Sequence, residues 1–157
     1  MIEFRLNTAD LDAAMNRLAN IGLLHTLTPK LAVELLSLTE ENFETEGHGD
    51  WAPWAESTKA ARLARSPKGA GKILQESGHL ARSVVTGHGT DYAAVGVPYN
   101  EEAKNYAAIQ QLGGNAGRGH SVHILARPYL PFTEDGLLPE AEDALLDLTL
   151  TWLMRSI

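Results

Sequence analysis

The chain contains no cysteine. That absence excludes disulfides and thiolate metal sites, and with them a secreted, disulfide-stapled scaffold. No run of about 18 apolar residues is present to span a bilayer, so no membrane partner is expected. The start Met1-Ile2-Glu3-Phe4-Arg5 lacks the charged, apolar and small-residue succession of a signal peptide, and synthesis in the cytoplasm is the expectation. Positive charge is also short. Thirteen Lys and Arg face 20 Asp and Glu, a net charge of −7, whereas neutralising phosphates requires a cationic surface. The chain as a whole is therefore not a generic nucleic-acid binder.

What is present suits one soluble domain. With 157 residues, 44% hydrophobic and 21% charged, the chain can bury a single core. Its charge is segregated. Residues 1–50 hold nine acids and three bases, residues 55–85 two acids and six bases, and residues 134–157 six acids and one base. The basic middle gathers Lys59, Arg62, Arg65, Lys68 and Lys72 around the Gly/Pro-punctuated loop 66–72. Two readings of it stay open: a solvated, flexible loop, or a contact for phosphate or an acidic partner.

Periodicity places the elements. Ile2, Phe4 and Leu6 alternate with charged residues as a half-buried strand, and Thr8 opens a helix with an apolar face at Leu11, Ala14, Met15 and Leu18. Thr28 as N-cap and Pro29 at the first helical position predict a second helix that stops before Gly47. The segment Gly47–Trp54 cannot be helical, yet it holds Trp51 and Trp54; aromatics in a loop need burial, within the chain or against a neighbour. Ser57 to Arg65 reads as a short basic helix, and Ile73–Val85 as a helical turn entering a strand. A hairpin loop at Gly87–Thr90 leads to a strand over Tyr92–Val97. A helix from Glu101 to Leu112 closes on Gly113-Gly114, and a flexible loop follows to about residue 121. Val122 to Phe132 is expected as an extended element that its prolines keep at a sheet edge. The last helix begins near Pro139 with acids at its positive end, and its leucines with Trp152 cover nearly every face, so part of its burial is expected from another subunit.

The patterns that carry chemistry fail one by one. Gly69-Ala70-Gly71-Lys72-Ile73 is similar to a phosphate-binding loop, but Ser66 replaces its first glycine and Ile73 its Ser/Thr. His120 and His123 have no second ligand pair. No serine sits in Gly-x-Ser-x-Gly, and no glycine run follows a strand in the dinucleotide pattern. The expectation is a protein without cofactor, metal or catalytic residues.

Four ordered blocks remain: Trp51-Ala52-Pro53-Trp54 with Ser57-Thr58; Ile73-Leu74-Gln75-Glu76-Ser77-Gly78-His79-Leu80-Ala81-Arg82-Ser83-Val84; Tyr106-Ala107-Ala108-Ile109-Gln110-Gln111-Leu112-Gly113-Gly114; and Ala126-Arg127-Pro128-Tyr129-Leu130. Together they resemble the phage virion morphogenesis (tail completion) family of Mu-type tailed phages, with Gln110 standing where that family more often has His. The resemblance implies an α+β fold in which a small antiparallel sheet packs against several α-helices. It also implies a structural neck subunit, similar to tail terminators, that joins tail to head. Such a subunit works in the virion as a ring, commonly a homohexamer, against the tail tube protein and the head–tail connector. DNA passes through the ring without specific binding. Arg127, held extended before Pro128, is expected to offer its guanidinium to a carboxylate of the next subunit. Assembly contacts are expected at Trp51, Trp54, Arg62, Arg65, Lys68 and Lys72, and at Gly78, Tyr106, Gln110, Gly113, Gly114, Arg127 and Trp152. The alternative reading is a DNA-associated accessory protein using Arg62, Arg65, Lys68, Lys72 and Arg118.

Overall fold

The computed structural model describes residues 22–66, 68–98 and 104–156, together with Ala13 and Asn16. The strand expected at Ile2–Leu6 and most of the helix expected from Thr8 lie outside the described residues.

The fold hangs on α1, Leu24–Thr45. At 1.5 Å per residue its 22 residues span about 33 Å. One face, Leu27, Ala32, Leu35, Thr39, Asn42 and Phe43, is buried. The helix begins a turn earlier than Thr28 and Pro29 suggest. Thr28 does not cap it; its hydroxyl donates across the molecule to the carbonyl of Gly89, 2.5 Å away. Pro29 lies within the helix. At the other end Glu46 and Gly47 both take left-handed backbone angles, and Gly47 N–H donates to Asn42 O at 2.8 Å.

The short helix α2 covers Glu56–Arg65, and the single turn α3 covers His79–Arg82. Strands β1 (Val85–His88) and β2 (Ala93–Gly96) pair antiparallel, with Val85 opposite Gly96 and His88 opposite Ala93. The connecting turn is therefore 89–92, two residues later than Gly87–Thr90, because Gly87 and His88 are in the ladder. This hairpin lies on α1, with Val95 buried and Ala93 and Val97 packed on the same core. An isolated two-stranded hairpin is marginal in water, so the helix supplies its stability.

Helix α4 (Lys104–Leu112) ends at Gly113, and β3 (Gly114–Ala116) pairs antiparallel with β4 (Val122–Ile124) around a 3-10 turn at Arg118–His120. Residues 114–124 are thus a hairpin, where the sequence reads as a loop to residue 121. A third small hairpin joins β5 (Phe132–Thr133) to β6 (Gly136–Leu137). Helix α5, Pro139–Ser156, then packs along α1.

The result is one α+β domain. Its antiparallel strands form three separate two-stranded sheets among the described residues, instead of one sheet. The Arg127–Pro131 segment belongs to none of them. Tyr129, Leu130 and Pro131 are buried, so the segment expected at an edge runs through the interior. Around it lies the main core: Leu35, Phe43, Trp51, Leu80, Val95 and Tyr129. A smaller cluster joins Leu27 to Trp152.

Candidate assembly sites

A buried stretch of non-helical, non-strand chain leaves amide groups without ladder partners, and each must find one elsewhere. For the Tyr129 and Leu130 N–H groups and the Pro128, Tyr129 and Phe132 carbonyls the partners are side chains. Gln111 Oε1 accepts from both Tyr129 N–H and Leu130 N–H at 3.0 Å, and Gln111 Nε2 donates to Phe132 O at 2.6 Å. Asn42 Nδ2 donates to Tyr129 O at 3.2 Å, and Trp51 Nε1 donates to Pro128 O at 3.0 Å. Arg127 N–H donates to Gln110 O at 2.7 Å. One glutamine, one asparagine and one tryptophan thus do what a neighbouring strand would otherwise do.

Tyr129 fixes this strap from within. It is 2% exposed, its ring centroid lies 5.3 Å from that of Phe43, and its hydroxyl donates to Ala107 O at 3.2 Å. Burial, and secondarily the neighbouring Tyr106, push the phenol up to about 12. Trp51 meets Phe43 edge-on at 5.9 Å. A Cβ on Gly47 would collide with the Trp51 indole, so the glycine gives the ring its seat.

Arg127 is committed inside the chain. Its Nε donates to Ala52 O at 2.9 Å and its Nη2 to Pro53 O at 3.1 Å. The guanidinium clasps the tryptophan loop through these two bonds. Burial, with Arg62 nearby, lowers its pKa.

The basic cluster is also largely occupied. Arg62 lies 4.4 Å from the Trp54 ring centroid, in cation–π range. Its Nη2 pairs with Glu76 Oε2 at 3.3 Å, while Arg65 Nη2 pairs with Glu76 Oε1 at 3.1 Å. Lys72 Nζ donates to Glu44 O at 2.8 Å. Lys68 is exposed. Arg62, Tyr106 and Gln110, far apart in sequence, meet around a cavity of about 170 Å³. Arg62 Nε and Gln110 Oε1 are both buried there without a protein partner.

The remaining predicted residues are braces. Gly113 has φ +74°, and a Cβ there would stand 2.9 Å from Ala126 N and 3.1 Å from Ile124 O. Helix α4 can turn so closely onto β4 only at glycine. Gly114 follows it into β3, and Gly78, also left-handed, precedes α3. Trp152 is buried and its Nε1 donates to Thr26 Oγ1 at 3.0 Å, tying α5 to α1. Trp51 and Trp152 therefore find their burial within the chain, while Trp54 is half-buried.

Gln111 and Asn42 are the functional residues that the sequence reading missed. Gln111 follows buried Ala107 by four positions on the inner face of α4. A polar residue on that face is the signal. Among the described residues no group of three or more His, Asp or Glu is placed to hold a metal, and no helix is long and apolar enough to cross a membrane.

These features define an α+β domain closed by an internal strap, with its diagnostic residues spent on architecture. The phage virion morphogenesis family matches residues 6–154, and the chain belongs to that family, which serves the building of phage particles. Among curated relatives it is similar to the putative capsid assembly protein G of Escherichia phage Mu, at 35% identity over 130 residues covering 78% of each chain. It is also similar to the Mu-like prophage FluMu G protein 2 of Haemophilus influenzae, at 32% identity over 148 residues covering 91% of this chain and 95% of the relative. No solved structure matches.

Proposed function

We propose that the protein is a non-enzymatic tail-completion subunit of the phage neck, forming a tail terminator-like ring between the tail tube and the head–tail connector. The supporting observation is the use made of the family's residue blocks. Trp51, Gln111, Gly113 and Arg127 build and brace one interior strap, as a rigid building block requires. A homohexamer is the proposed stoichiometry. The phage Mu relative is named for capsid assembly, which supports a role in building the particle. DNA would pass through the ring without specific contacts, consistent with a net charge of −7. The DNA-accessory reading is less well supported, since Arg62 and Arg65 are already paired with Glu76.

Deleting the gene from a producing phage tests this. The expected lysate contains DNA-filled heads and separate tails that fail to join, and the wild-type gene in trans restores particles. Normal joined particles, or an absence of heads, would contradict the proposal.

A further inference from the structure

Two exposed faces have no described element packed over them. On α5, Leu146, Leu150 and Met154 recur every four residues and form one stripe. They are 54%, 45% and 69% exposed. Glu142, Asp143 and Asp147, all exposed, fall on the same side of the helix and frame the stripe with negative charge. On α2 no residue is buried at all. Ten residues are too few for a helix to be stable in water without packing, and the ties found on α2 run through Arg62 and Arg65. Its remaining surface carries Glu56, Lys59, Ala60, Ala64 and Leu63, the last 49% exposed, with Lys68 three residues beyond the helix end, so that the bases outnumber the one acid.

The faces are complementary in kind: an apolar stripe with an acidic frame, and an apolar patch with a basic one. They are also separate. The α5 stripe follows the N-terminal half of α1, where Trp152 meets Thr26. Helix α2 is tied through Arg62 and Arg65 to Glu76, and the segment before Glu76 is held at the C-terminal end of α1 by Lys72 to Glu44 O and Gln75 to Phe43 O. We propose that the acid-framed stripe of α5 in one copy docks on the basic face of α2 in the next copy. Such a contact joins two different patches, so it is heterologous; copies added head to tail each leave one face free until a ring closes. This deepens the ring reading and rests on it.

Charge exchange in the full chain tests the contact, read by native mass spectrometry and light scattering at equal concentrations. D143K/D147K places like charge against α2, and K59E/K68E does so against α5. Each double variant should assemble at least tenfold more weakly than wild type. The quadruple variant carrying both exchanges restores opposite charges at every junction and should recover the wild-type oligomer. Its recovery also shows that the doubles failed at the contact and not in folding. Double variants that assemble like wild type overturn the contact and leave the ring reading standing. Loss of duplex DNA binding in K59E/K68E with an unchanged oligomer would overturn it in favour of a nucleic-acid face. A wild-type chain that stays monomeric up to millimolar concentration removes the ring reading together with the contact.

Discussion

Gln110 and Gln111 are neighbours with opposite circumstances. Gln111 satisfies two amides and one carbonyl of the strap, whereas Gln110 Oε1 is buried without a partner. Removing one side of a buried hydrogen bond costs about 1–3 kcal/mol per group left unpaired, while removing an unsatisfied group costs little. Gln111→Leu should therefore destabilise the chain by about 3 kcal/mol or more in urea unfolding, and Gln110→Leu should be neutral or stabilising. Tyr129 supplies a second residue-scale test. Its folded pKa of about 12 lies above the ordinary 10, so the native state holds the proton more tightly than the unfolded chain does. Stability is then fully present below pH 10 and falls as pH rises from 10 through about 12. Tyr129→Phe should flatten that alkaline decline, measured as the urea midpoint against pH.

At the scale of elements, the clasp of Arg127 on Ala52 and Pro53 should govern the tryptophan loop. Arg127→Lys keeps the charge but loses the planar fork that reaches two carbonyls. Hydrogen exchange in residues 51–54 should speed up in this variant, while exchange in α1 stays unchanged. Helix α2, with no buried residue, should exchange fast in the monomer and slow on assembly. The same scale shows what the sequence could reveal. Helices α2 and α5 were legible because caps, breakers and charge distribution are local signals. The start of α1 was not, because the bond from Thr28 to Gly89 spans 61 residues and nothing local announces it. The strap was misread as an edge strand for a related reason. Proline forbids ladder pairing, and an edge is the usual refuge, but here side chains of Gln111, Asn42 and Trp51 take the place of the ladder. Arg127 was recognised as important, but its acceptors on Ala52 and Pro53 lie 75 and 74 residues away, so nothing local announces them.

For the whole molecule, burial and exposure divide the conspicuous residues into two sets. Of those that make the family recognisable, Trp51, Ile73, Leu80, Ala107, Gln111, Tyr129 and Leu130 are buried and hold the core together. The faces proposed for neighbours, on α2 and α5, carry ordinary lysines, acids and leucines whose meaning emerges only when the fold shows that they are exposed and that no other described element packs over them. The internal strap thus accounts for the interior of the subunit, and the two exposed faces are the proposed means of its repetition. The direct measurement of that account is a reconstruction of the phage neck. Copies of this chain should close a ring at the head-proximal end of the tail tube, with α5 of each copy against α2 of the next. Finding the chain only within the head shell, or absent from the neck of a joined particle, would contradict it.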